Sequence, residues 1–398
     1  MFNGNDSVRM RRDLVRNPDA RRTLVAFDPP SSAVTEFHRR LPGYRPTPLV
    51  AAPSLAQRLG VGEVWVKDES SRLGLPAFKM LGASWAAYRA LVEHLGTDLE
   101  PWADIDELAK KLTEHGPLTL AAATDGNHGR AVARMARLLG LEARIFVPAG
   151  TTDARIDAIR SEGASCEVVD GTYNDAVRRS AEEANDRCLV ISDTSWPGYE
   201  LIPGWVIDGY TTIYAEIEET RAATGAPPPD VVVVPIGVGA MACSAVRYYR
   251  QPGLGRPPSI VGVEPLRAAC VLASARAGKI ASVPGPHDSI MSGLNCDTPS
   301  LIAWPVISKG IDLYIAIEDQ RAVEGMRQLA DIGVVSGETG AAGLGALNEI
   351  ISGPDATELR SYLGLGPESI VLLISTEGAT DPDAYQRLVG RSPEDVAG

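Results

Sequence analysis

In the decapeptide LPAFKMLGAS, residues 75–84, a single lysine stands in an apolar run. Taking an ammonium out of water is costly, so a lysine in such a setting either snorkels its head group to solvent or gives up its charge. A desolvated Lys79 would be a neutral amine, the form that condenses with an aldehyde to a Schiff base. PIGVGAMA, residues 235–242, joins a β-branched run to a helical pattern. There Gly237 and Gly239 would let backbone N–H groups turn toward an anion at a helix N-terminus, although a tight turn without a ligand has the same composition. The loop matches neither GxGxxG nor GxxxxGK, which argues against a dinucleotide or a nucleoside triphosphate.

ATDGNHG, residues 123–129, also lies between strand and helix patterns and gathers Asp125, Asn127 and His128. Simple N-capping needs one such residue, so the cluster points to a ligand at the carboxyl end of a parallel strand. Asp193 follows a strand in VISDTSWPGYELIPGW, and Ser375 and Thr376 close the last apolar run in LLISTEGATDP. Both positions also suit ordinary turns.

These residues need elements to hold them. Helical spacing is expected at 33–40, 53–59 and 80–95, and a short strand at 63–67. From residue 118 the chain alternates strand, loop and helix through LTLAAA, HGRAVARMARLLG, EARIFVP, ARIDAIRSEG, SCEVVDG, YNDAVRRSAEEAND and RCLVISD. That alternation implies a parallel sheet covered on both faces, over roughly residues 90–200. A second series runs through PDVVVVPIGVG, SIVGVEP and SIVLLISTEG. The expected fold class is therefore α/β, with two doubly wound parallel-sheet lobes.

The 398 residues suit two lobes better than one core. With 38 Lys+Arg against 51 Asp+Glu, net charge −13, and no basic block, nucleic acid and anionic membranes are poor partners. No run of about 18 apolar residues occurs, and the first residues lack the apolar core of a signal peptide, so a cytoplasmic address is expected. Five cysteines without a CxxC pair, and scattered histidines, make a disulfide framework or a metal site a poor expectation. Cys270 and Cys296 sit in segments that could approach each other, where a reduced, inert pair is expected.

Taken in order, the lysine, the asparagine loop, the glycine loop and the C-terminal hydroxyls resemble the fold-type II pyridoxal-phosphate enzymes. Within them, DTSWPGYELIPGWVIDGY, MSGLNC, SGETGAAGLGAL and ISTEGATDP resemble a group of ammonia-lyases that act on diamino acids. The resemblance covers about residues 45–382. It implies that Lys79 carries pyridoxal 5′-phosphate as a Schiff base and that Asn127 bonds its 3′-oxygen. The N–H groups of Gly237, Val238, Gly239, Ala240 and Met241 would hold its phosphate. Ser375, with Thr376 next, would meet its pyridine nitrogen; a hydroxyl there favours elimination.

Many dehydratases of this fold carry serine where this chain has Asp125, and expel hydroxide. Here a carboxylate could attract a β-ammonium, so the implied reaction is α,β-elimination of 2,3-diaminopropionate, either enantiomer, to pyruvate and ammonia. Lys79 would serve the L-isomer and Asp125 the D-isomer, with Asp193 assisting. Many relatives also have more glycines than the present Val238, Ala240 and Met241 allow. A large cofactor-binding domain of residues 1–89 and 205–398, a small mobile domain of 90–204, a small amino-acid substrate and a homodimer are likewise implied. A serine or threonine dehydratase, a biosynthetic lyase, or a non-catalytic carrier of the same cofactor remain open on sequence grounds.

Overall fold

Runs such as VVVVP and IVLLIS, β-branched and uninterrupted, suit strands buried on both faces, and they form the centre of the larger of two sheets. A computed structural model describes residues 12–20, 31–124, 126–251 and 255–398. Its strands are β1 (Arg12–Arg16), β2 (Leu49–Ala51), β3 (Glu63–Asp68), β4 (Thr119–Ala123), β5 (Glu142–Pro148), β6 (Ser165–Val169), β7 (Cys188–Val190), β8 (Val231–Pro235), β9 (Ser259–Pro265), β10 (Leu313–Ile317) and β11 (Ile370–Ser375). Seven strands form one sheet in the order β1-β10-β9-β8-β11-β3-β2, and four form the other, β6-β5-β4-β7. The smaller sheet is wholly parallel. The larger is parallel at its centre, with antiparallel edge strands β1 and β2 that the sequence reading had not paired with it.

Helices cover both sheets. The helix Lys79–Leu95 packs on Leu201–Gly209, and the approach needs glycine on each side. A Cβ on Gly82 would lie 2.5 Å from the Tyr210 ring, and one on Gly209 would lie 2.5 Å from the Leu81 carbonyl oxygen. Among the described residues no helix is long and apolar enough to cross a membrane.

The connection from β3 to Lys79 is anchored by a buried charge cluster. Arg72 reaches Glu69 through Nε at 2.8 Å and Nη2 at 2.7 Å, and Glu216 through Nη1 at 2.6 Å. Lys67 Nζ donates to Glu216 Oε2 at 2.6 Å. Two cations and two carboxylates balance, which is the condition for charges to persist in an interior. Burial pushes the Glu216 carboxyl up, but Arg72 and Lys67 outweigh it and hold it at about 2. A depressed carboxyl contributes stability above its unfolded value, here about 4.5, and loses it as pH falls through the folded value. Acid unfolding is therefore expected to steepen between those limits. Glu216→Gln should flatten that slope and cost roughly 3–5 kcal/mol at neutral pH, read by denaturant titration.

Candidate active site

Loops at the carboxyl ends of parallel strands from both sheets face one cavity of about 550 Å3. Lys79, Asn127, Asp193, the loop 237–241 and Thr376 all line it. Asp125 lies outside the described residues.

Lys79 opens its helix, and the backbone before it is tied to the strand end opposite. Phe78 N–H donates to the Thr376 carbonyl at 3.1 Å, and Gly378 N–H to that of Pro76 at 2.9 Å. Its side chain is 19% exposed, and Nζ donates to Asp193 Oδ2 at 2.6 Å. Phe78, Met80 and Leu81 are themselves buried, and Nζ lies 5.3 Å from the Phe78 ring centroid, but a carboxylate meets the charge.

Asp193 is held from three sides. Tyr173 donates to Oδ1 at 3.2 Å, and His128 Nδ1 stands 3.9 Å from Oδ2. The other ring nitrogen, Nε2, contacts the Ile191 carbonyl at 2.8 Å and must donate to it. Burial pushes the Asp193 carboxyl up, but Lys79 and His128 hold it well below the usual carboxylate range. The aromatic DTSWPGY segment shapes this loop. Tyr199 donates to the Val190 carbonyl and accepts from Ser192 N–H at 3.0 Å, while Trp196 stacks on it with centroids 4.2 Å apart.

The glycine loop leaves β8 and becomes the N-terminus of the helix Ala240–Tyr249, with Gly239 at φ 101°. Only glycine adopts that conformation without strain, and a Cβ there would also meet Ile307 at 2.9 Å. Among the described residues, the backbone N–H groups of 237–241 donate to no backbone carbonyl. Such a fan of unpaired donors at a helix start fits a phosphate. On the same cavity, Thr376 Oγ1 is buried without a hydrogen-bond partner among the described residues. Ser375 Oγ instead donates to Ser336 Oγ at 2.8 Å. The geometry thus favours Thr376 over Ser375 as the hydroxyl that faces a ligand. A lysine amine, amides without backbone partners and a hydroxyl without a partner, all among the described residues around one cavity, fit pyridoxal phosphate.

The sequence reading missed Glu377, which lines the cavity and accepts from Asn127 Nδ2. Tyr173 also lines the cavity, and its hydroxyl reaches Asp193. Cys270 and Cys296 are thiols, and burial, then Glu264 and Cys296, push the Cys270 thiol up, which makes it a poor nucleophile.

Fold and site together define an α/β enzyme of the Schiff-base type, and residues 40–375 match the family described as Pyridoxal-phosphate dependent enzyme. The chain is 39% identical over 374 residues to the Diaminopropionate ammonia-lyase of Salmonella typhimurium, covering 90% of this chain and 92% of that protein. The crystal structure of the Escherichia coli Diaminopropionate ammonia lyase in complex with an aminoacrylate-PLP azomethine reaction intermediate superposes with TM-score 0.84 at 35% identity, over 96% of this chain and 97% of that one. The same enzyme in complex with D-serine gives TM-score 0.85 at 34% identity and the same coverage. The chain belongs to the pyridoxal-phosphate dependent enzymes and, within them, to the diaminopropionate ammonia-lyase family.

Proposed function

We propose that the chain eliminates both amino groups of 2,3-diaminopropionate, D or L, giving pyruvate and two ammonia with uptake of one water. The observation that carries this is the Lys79–Asp193 pair set in a cavity whose walls hold unpaired amides and the unpaired Thr376 hydroxyl. Lys79 would bind the cofactor, the N–H groups of 237–241 its phosphate, Asn127 its phenolic oxygen, and Thr376, rather than Ser375, its pyridine nitrogen. Pyridoxal phosphate, when bound, supplies the electron sink that makes the Cα proton of an attached amino acid removable.

Lys79 takes that proton from one face, and Asp193, in contact with Nζ, stabilises the ammonium that results. The same proton then serves the departing β-amine, which leaves only when protonated. Asp125 takes the Cα proton from the other face. The carboxylates also favour a substrate with a second ammonium over one with a β-hydroxyl. Keto-acid release should follow from both diaminopropionate enantiomers and be far slower from L-serine and L-threonine. A faster reaction with either hydroxy amino acid would replace this reading by a dehydratase.

The four-stranded unit, taken as residues 90–204, serves in this reading as a small domain that moves against the cofactor domain of 1–89 and 205–398. Its own sheet supports that division, and scattering profiles unchanged by substrate would refute it. A cytoplasmic homodimer accompanies it by resemblance, and sedimentation at a monomer's mass would exclude the dimer.

A further inference from the structure

Glu377 joins the two sides of the cavity. It follows β11, is 3% exposed, and its backbone bridges Ala77, two residues before Lys79. Among the described residues its carboxylate accepts from Asn127 Nδ2 on Oε2 and from Thr339 N–H on Oε1 at 3.3 Å. Asn127 begins the helix Asn127–Leu138 of the smaller sheet's unit, so one side chain ties that helix to the large sheet.

An asparagine amide has two nearly isosteric orientations, one offering N–H and the other a carbonyl lone pair. An ionised carboxylate only accepts, so Glu377 fixes the orientation with Nδ2 toward itself. One N–H of Nδ2 is then engaged and the second remains for the cavity. We propose that Glu377 is a positioning residue that selects the donor orientation of Asn127, so that an N–H meets the phenolic oxygen of the cofactor. This rests on the reading of Asn127 as a cofactor contact. An N–H favours the ionised phenolic oxygen, whereas a carbonyl oxygen in its place would favour the protonated phenol.

Glu377→Gln is the discriminating variant, because its shape is kept while its logic is inverted. The Thr339 N–H is fixed by the backbone and claims the glutamine oxygen, so the glutamine NH2 faces Asn127 and turns that amide over. The holoenzyme should then shift its visible absorption toward the protonated-phenol tautomer and hold the cofactor about tenfold less tightly. Glu377→Asp, still acceptor-only, should keep the wild-type band ratio. In an Asn127→Ala background Glu377→Gln should add nothing to either readout.

A wild-type spectrum and affinity in Glu377→Gln, with both changed in Asn127→Ala, would overturn the inference alone. So would a full spectral shift in Glu377→Asp, or additive effects in the double variant. A wild-type spectrum and affinity in Asn127→Ala would instead remove the reading of Asn127 itself, and the inference with it.

Discussion

Lys79→Ala is expected to abolish pyruvate formation, by more than about 10⁴-fold, and to leave nothing that borohydride can fix between cofactor and chain. In the proposed scheme two losses combine in that variant: the covalent anchor, and the base on one face that is also the acid for the departing amine. The amides of 237–241 and the Thr376 hydroxyl remain, so the variant should still bind the cofactor reversibly. A third consequence comes from Asp193. Lys79 is the first of the charges that hold its carboxyl low against burial, and truncation leaves a buried carboxylate with one cation fewer. The stability that a depressed carboxyl contributes is present above its unfolded value near 3.8 and is lost as pH falls through the folded one. Lys79→Ala should lose that contribution, and so melt lower than wild type near neutral pH. Lys79→Arg separates fold from chemistry, because guanidinium can still face Asp193 but cannot condense with an aldehyde. Wild-type melting with no turnover is expected of it. Turnover retained in Lys79→Ala would refute the scheme.

What the sequence disclosed follows from how local each signal is. Lys79 stood out because its neighbours are apolar within a few residues, and the glycine loop because a strand, a turn and a helix start are contiguous. Helix 53–59 and strand 142–148 needed only short-range pattern, and both were located to the residue. Glu377 was invisible for the opposite reason. Its partner Asn127 is 250 residues away, and a carboxylate after a strand resembles any turn former until the fold brings the two together. The strand β1, RDLVR, has three charges in five residues and acquires its structure from pairing with β10, not from its own propensity. Ser375 ends β11 and Thr376 is the next residue, and successive side chains of an extended chain point to opposite sides. The resemblance could name both, and only the geometry shows which hydroxyl lacks a partner.

Asp125→Asn is expected to separate the two enantiomers. If Asp125 takes the Cα proton from the face opposite Lys79, its amide analogue removes the base for the D-isomer and leaves the base for the L-isomer intact. Removing a general base costs roughly 10²–10⁴-fold, so kcat with D-diaminopropionate should fall by that amount. The L-isomer should lose mainly affinity, because one negative charge near the β-ammonium has gone while Lys79 and Asp193 still move the proton. KM should therefore rise for both isomers, and kcat should fall steeply for one. The Lys79–Asp193 contact is the reason the effects should differ, because Asp125→Asn leaves both of its residues in place. Asp193→Asn gives the complementary arm. It removes the carboxylate that holds the Lys79 ammonium, so its larger loss should fall on the L-isomer. Equal losses of kcat for both enantiomers in Asp125→Asn would cancel the assignment of faces, and a single base would then have to serve both.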